Sequence, residues 1–255
     1  MSYGTKSIAC LIPARYNSSR FPGKLLAVAL GKTVLQRTIE SALQIFSPEQ
    51  LFIATDDQRI ADHVASLGCH AIWTDPNHLN GTDRIAEAVM KTPALEKAEI
   101  IVNLQGDHPC TKPATLRAAV DILLFDPGAV MSTVAIALKK EEDFFSPHVV
   151  KVVVSKKGDA LYFSRSPIPY FKGAIPPNAL QHIGLYCFRR DFLLQYSRMK
   201  ATDLQKIEDL EQLKILEEGY RIKVALVEEE SVAVDTPSDL AKLVQLLERE
   251  KNYVS

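Results

Sequence analysis

Cysteine is scarce in this chain of 255 residues: there are four, Cys10, Cys69, Cys110 and Cys187, and no two form a C-x-x-C pair. That spacing argues against a disulfide frame or a thiolate zinc site and reads as reduced, mostly buried thiols in a cytoplasmic protein. Long apolar runs are missing too. No stretch reaches the ~18 residues a membrane span needs, and the run Ile8–Ile12 is too short for a signal-peptide core. Nor is there an excess of charge: 30 Lys and Arg stand against 31 Asp and Glu, a net charge of −1. Without a global positive field, nucleic acid and anionic membrane surfaces are poor partners. With 47% hydrophobic and 24% charged residues, the composition is that of a soluble, enzyme-sized protein able to bury a core.

Several chemical signatures are also absent. Gly31-Lys32-Thr33 ends like a phosphate-binding P-loop, but the earlier glycine would fall at Leu26. There is no G-x-G-x-x-G dinucleotide fingerprint, no G-x-S-x-G nucleophile elbow and no D-x-D triplet. A nucleotide site therefore has to use an unconventional loop.

Apolar runs of strand length do alternate with segments of helical period. KSIACLI, LFIAT, HAIWT and EIIVNLQ read as strands, and TVLQRTIESALQIF, DQRIADHVASLG and TDRIAEAVMK as the helices between them. This alternation predicts an α/β fold, Rossmann-like, with a mostly parallel sheet and helices on both faces. VVKVVV and ALYFSR, separated by SKKGD, read as an antiparallel hairpin turning at Gly158-Asp159, and a proline-rich loop covers 166–181. No linker is evident, so the expectation is a single domain over 1–255 with a hairpin and loop insertion at about 149–181. A short VAV strand is expected just before Asp235.

Ligands of open α/β sheets bind beyond the carboxyl ends of the strands. The first such end carries IPARYNSSRFPGK, with three cations, Arg15, Arg20 and Lys24, in a nearly neutral chain. Arginine offers paired planar donors and lysine a point charge, so this loop reads either as a triphosphate cradle or as a solvated basic turn. Its place at the mouth of the first strand favours the cradle. Asp107 follows EIIVNLQ in the same way, and Asp235 precedes Thr236-Pro237 at a helix start. For Asp235, helix capping competes with chemistry; Asp57 reads as the cap of the second helix.

The phrase IPARYNSSRFPGK resembles the signature of the 3-deoxy-manno-octulosonate (KDO) cytidylyltransferases. GTDRIAE, IIVNLQGDHP, VKVV, ALYFSR, HIGLY, IEDLEQL and VDTPSDL continue the resemblance in order, from residue 8 to about 243. Where the family usually has glutamate, this chain has His108 and Asp83, and Leu25 stands where proline is frequent. The resemblance implies a nucleotide-diphospho-sugar transferase-like fold. It also implies a reaction in which the anomeric hydroxyl of KDO attacks the α-phosphate of CTP and expels pyrophosphate.

On that footing Asp107 and Asp235 are expected to hold Mg²⁺, with Arg15 and Lys24 as catalytic cations over the triphosphate. Arg15, Arg20, Lys24 and the Asn80-Gly81-Thr82 turn are expected to bind the nucleotide. The sugar acid is assigned to Gln105, Arg165, His182 and Glu211. For Glu211 a spacing argument is added, because Ile207, Glu211 and Ile215 recur at four-residue intervals on one expected helix, IEDLEQLKILEEG. No protein general base is evident. The resemblance also implies a cytoplasmic step of lipopolysaccharide assembly. A homodimer is expected, with the hairpin around 149–165 and the proline-rich loop as its contact, and no nucleic-acid or membrane partner is expected from the charge and the short apolar runs. Three other readings stay open: a cytidylyltransferase for another acid sugar such as sialic acid, a glycosyltransferase, and an inactive nucleotide-binding regulatory protein on the same scaffold.

Overall fold

The first strand, β1 (Ile8–Ala14), is buried at every position, which its unbroken apolar run requires of a strand covered on both faces. The computed structural model describes residues 8–228 and 232–254, so Lys6 and Ser7 of the expected first strand lie outside the described residues. The chain divides into two compact units, one of residues 8–113 and 232–254, the other of residues 114–228.

In the first unit β1 is followed by a small ribbon, β2 (Val28–Ala29) and β3 (Lys32–Thr33), that the apolar pattern does not announce. Helix α1 (Val34–Leu43) starts where Thr33 accepts a hydrogen bond from the Gln36 amide at 3.0 Å. Strand β4 (Leu51–Thr55), helix α2 (Gln58–Ser66), strand β5 (His70–Trp73), helix α3 (Gly81–Lys91) and strand β6 (Ile100–Leu104) complete the alternation. The strands run parallel in the order β6-β1-β4-β5. All their carboxyl ends therefore open on one edge, and the loops after β1 and β6 come together there.

The second unit begins with α4 (Pro113–Phe125) and β7 (Met131–Ala137), then a short α5 (Glu141–Phe145). The expected hairpin is present as β8 (Lys151–Val154) and β9 (Ala160–Ser164). Strand β10 (Leu180–Arg189) pairs antiparallel with β7 and β8. Helices α6 (Arg190–Tyr196), α7 (Asp203–Glu208) and α8 (Leu213–Glu217) lead into β11 (Ile222–Val227), which runs parallel to β7. Lys151 of β8 is fully buried, and its ammonium donates to the carbonyls of Ser146, Val149 and Arg165 at 2.8, 2.6 and 2.6 Å. Those three bonds tie both ends of the hairpin to the segment before it.

The chain returns to the first unit for α9 (Pro237–Val254). Two expectations fail locally. The described residues Val232–Val234 lie outside any strand; the Val234 amide instead donates to the Asp107 carbonyl at 2.9 Å. IEDLEQLKILEEG is two helices and not one, broken at Asp209, which takes φ +51° at the end of α7. Ile207 is consequently 77% exposed while Ile215 is buried, so the stripe invoked for Glu211 does not exist.

Candidate active site

The loop after β1 folds back on itself. The Gly23 amide donates to the Tyr16 carbonyl at 2.9 Å, bringing Arg15 and Lys24 to the two ends of a closed turn. Gly23 has φ +72°, and a Cβ there would stand 3.0 Å from Cζ and Oη of Tyr16, so only glycine fits. A helical turn over Lys24–Leu26 then aims Lys24 inward.

From there the Lys24 ammonium reaches Asp107 Oδ2 at 2.5 Å and Asp235 Oδ1 at 2.9 Å. Both oxygens contact one nitrogen, so they lie no more than about 5.4 Å apart, close enough to share an ion. Burial opposes the charge on Lys24, but Asp107 and Asp235 outweigh it and hold the ammonium above its ordinary pKa. Burial likewise pushes the Asp107 carboxyl up, and the positive charge beside it reverses that and keeps it ionised. His108 Nε2 stands 3.8 Å from Asp107 Oδ1, and burial pushes its imidazole below the usual value.

Asp235 is not the cap of α9. Thr236 Oγ1 accepts from the Asp239 amide at 3.3 Å, and Asp239 Oδ2 accepts from the Thr236 amide at 3.0 Å. The Asp235 carboxylate is left for Lys24 and for Arg20, whose Nη2 lies 3.0 Å away. Asp57, by contrast, does cap α2, accepting from the Arg59 amide at 3.0 Å.

The loop after β6 is held from behind by α1. Thr38 Oγ1 donates to the Gly106 carbonyl at 2.8 Å, and Ser41 Oγ donates to the Thr111 carbonyl. A cavity opens in front of this loop, lined by Arg15, Lys24, Asn80, Gly81, Gln105 and Asp107, and also by His78 and Arg84. Gly81 is the point of close approach: a Cβ there would meet Pro13 Cγ at 3.0 Å and Gln105 Oε1 at 3.1 Å. Asn80 serves as the cap of α3, its Oδ1 accepting from the Asp83 amide at 2.8 Å. Thr82 is fully buried and accepts from Asn103 Nδ2 at 3.1 Å, so it turns away from the cavity that Asn80 and Gly81 line.

His78 escapes a reading of the sequence alone, and Arg84 stands in it only as the last residue of the Asn80–Arg84 stretch that follows a strand end, with no role attached. Arg84 is almost wholly buried, with Nη1 2.6 Å from Thr74 Oγ1 and Nη2 2.8 Å from Asp56 Oδ2. His78 Nε2 stands 2.5 Å from Glu87 Oε2. A charged residue inside an amphipathic helix and a histidine in a polar loop look solvated until their partners, 28 and 9 residues away, are known.

The remaining sugar candidates belong to the second unit. Arg165 Nε, Nη1 and Nη2 donate to the carbonyls of Glu208, Pro147 and Asp209 at 2.7, 3.1 and 3.1 Å. His182 is buried, its Nε2 2.9 Å from Thr133 Oγ1, with Phe163 edge-on at 4.9 Å and Tyr186 at 5.6 Å. The register of β10 against β7 slips between Ile183 and Tyr186, and the Thr133 hydroxyl sits beside the two carbonyls this bulge leaves over, those of Ile183 and Leu185. Burial, followed by the charge of Glu211, raises the Tyr186 phenol well above its ordinary value. The neutral phenol donates to Gln212 Oε1 at 3.4 Å. The structure thus sets the Tyr186 phenol between Gln212, the charge of Glu211 and the His182 ring.

Among the described residues no three His, Cys, Asp or Glu side chains form a complete metal cage. What the site offers is two hard carboxylate oxygens, close together and already bridged by a cation.

Residues 9–224 match the cytidylyltransferase family model. The chain is 44% identical to the 3-deoxy-manno-octulosonate cytidylyltransferase of Protochlamydia amoebophila, covering 98% of both chains. It is 44% identical to the enzyme of the same name from Geobacter metallireducens, covering 95% of this chain and 98% of the relative. Among solved structures, CMP:2-keto-3-deoxy-manno-octonic acid synthetase complexed with CTP superposes with a TM-score of 0.88 at 38% identity, covering 96% of this chain and 99% of that one. The α/β architecture, the loop signature and these matches agree: the chain belongs to the 3-deoxy-manno-octulosonate cytidylyltransferase family of nucleotidyltransferases.

Proposed function

We propose that this protein transfers CMP from CTP to 3-deoxy-D-manno-octulosonate, giving CMP-KDO and pyrophosphate. The observation that carries this reading is the Lys24 ammonium set between Asp107 and Asp235 at the mouth of the cavity lined by Arg15, Asn80, Gly81 and Gln105. The anomeric oxygen of the sugar forms a bond to the α-phosphorus, the bond to the β-phosphate bridging oxygen breaks, and the hydroxyl proton is released. Arg15, Arg20 and Lys24 bind and orient the triphosphate and offset charge gathering on the leaving pyrophosphate.

The donor set fits Mg²⁺. Two aspartates this close repel unless a cation lies between them, and Mg²⁺ takes one or two carboxylates and leaves its other positions to water and phosphate. Asp107 and Asp235 would hold it, and when bound it supplies neutralisation of the triphosphate charge. Gln105, Arg165, His182 and Glu211 bind the sugar acid, while Asn80 and Gly81 face the nucleoside and Thr82 supports them through Asn103.

Both units serve one nucleotidyltransferase domain over residues 1–255. We further propose a homodimer, on the support of Leu161, Tyr170 and Phe171, which are 60, 89 and 44% exposed on the hairpin and the loop after it. Among the described residues no helix is long and apolar enough to cross a membrane. The proposed setting is a cytoplasmic step of lipopolysaccharide assembly.

The test is pyrophosphate release with CTP and Mg²⁺ against a panel of acid sugars. Release with KDO and little with sialic acid is expected. Release with sialic acid instead reverses the sugar assignment, and no release with any sugar favours a nucleotide-binding regulator.

A further inference from the structure

We propose that Arg59, at the start of α2, is a positioning residue for the phosphate-binding loop and acts through the ring of Tyr16. This inference rests on the cytidylyltransferase reading of that loop and names a residue outside it.

The guanidinium carbon of Arg59 lies 3.3 Å from the centroid of the Tyr16 ring. Its edge is clamped by Asp57, with Nε 2.9 Å from Oδ1 and Nη2 2.6 Å from Oδ2. Asp57 is itself anchored as the cap of α2 and by its amide, which donates to Thr55 Oγ1 at 3.3 Å at the end of β4. A guanidinium held by its edge presents its face in one orientation, so the ring stacked on it is oriented too.

Arg59 is 57% exposed, and its ion pair with Asp57 contributes little by itself. What the pair does is hold Tyr16. The same ring also closes on Gly23, where a Cβ would stand 3.0 Å from Tyr16 Cζ and Oη, and the Gly23 amide donates to the Tyr16 carbonyl. Arg15 precedes Tyr16 and Lys24 follows Gly23, so the stack Asp57–Arg59–Tyr16–Gly23 fixes both ends of the loop from which the two cations extend. An unstapled loop of this length would have to be ordered by the incoming nucleotide, at a cost in affinity.

The test combines Arg59→Ala with Tyr16→Leu. In the ligand-free protein, Arg59→Ala is expected to speed amide exchange at Gly23 while the amides of the core strands keep their protection. In turnover, Arg59→Ala should raise the KM for CTP about 2- to 5-fold, the size of an exposed cation–π contact, with the KM for KDO unchanged. Arg59→Lys should recover only part of that loss, since an ammonium cannot take the Asp57 clamp and lie flat on the ring. Added to Tyr16→Leu, Arg59→Ala should have no further effect. An equal CTP effect in both backgrounds would mean that Arg59 meets the nucleotide directly and would overturn the proposal. So would parallel rises in both KM values, or unchanged exchange at Gly23. If the wild type fails to turn over CTP at all, the functional reading falls, and the exchange measurement still decides whether Arg59 holds the loop.

Discussion

Asp239 reaches back to Thr236, its Oδ2 accepting from both the amide and the hydroxyl of that residue at 3.0 and 2.8 Å. The start of α9 is thereby satisfied without Asp235, whose carboxylate faces Lys24 and Arg20. Capping, which in the sequence competes for Asp235, falls to Thr236 and Asp239, and Asp235 pairs with the two cations.

The two roles separate by mutation. Asp235→Asn is expected to reduce turnover about 100-fold or more, the scale on which lost charge stabilisation acts, with an unchanged thermal midpoint. Thr236→Ala should cost about 1 kcal/mol of stability, as lost caps do. A large fall in midpoint for Asp235→Asn with turnover retained would reverse the assignment. Asp107→Asn should match Asp235→Asn in its effect on turnover.

Arg165 offers a sharper test of the sugar assignment. Its guanidinium bonds three carbonyls and its Nη2 lies 3.6 Å from Asp209 Oδ2, with the side chain 35% exposed. Arg165→Ala should raise the KM for KDO more than that for CTP, and Arg165→Lys should fail to rescue it, because one ammonium cannot span the three carbonyls. Equal rises in both KM values would make Arg165 purely structural.

Glu87 gives the fold a dependence on pH. Partial burial pushes its carboxyl up, but the Lys91 ammonium, the Asp75 amide and His78 more than compensate and draw it down to about 2. A carboxyl whose folded value is depressed stabilises the fold above its ordinary value, and that contribution disappears as pH falls from about 4.5 towards about 2. Wild type should therefore exceed Glu87→Gln in urea midpoint at neutral pH, and the two should converge across that window. A gap independent of pH would exclude the ionised carboxylate as the cause.

Lys151 is expected to act on stability, because its buried ammonium serves three carbonyls. Replacing it with methionine leaves the carbonyls of Ser146, Val149 and Arg165 without their donor, and a loss of about 3 kcal/mol is expected, on the scale of unsatisfied buried acceptors. Urea unfolding measures it directly. A loss below about 0.5 kcal/mol, the level of ordinary surface substitutions, would mean that water replaces the ammonium.

Much of this was legible beforehand because it is local. The alternation that built β1, α1, β4, α2, β5, α3 and β6 is carried by elements of 4 to 11 residues. The Gly158-Asp159 turn and the Asp57 cap are likewise set by neighbours along the chain. The failures arose where a local pattern met a distant constraint. Periodicity ran through Asp209 as if one helix continued, but the chain breaks there at positive φ, and Glu208 turns to hold Ser164 Oγ and the Arg165 amide at 2.5 and 2.9 Å. VAV looked like a strand by composition, yet its last residue makes a single bond to the Asp107 carbonyl.

The sequence by itself determined the strand–helix order of the first unit from β1 to β6, the cluster of cations after β1 and the family to which the chain belongs, since each is written in residue types and their short spacings. Only the tertiary structure decided which carboxylates meet Lys24, because that contact joins residues 211 positions apart and depends on Asp239 relieving Asp235 of the helix end. It also decided that His78 and Arg84 line the cavity and that Arg59 lies on Tyr16, contacts made by side chains whose partners come from other loops. Charge in a sequence is a list; its pairing is a matter of distance, and distance is a property of the fold.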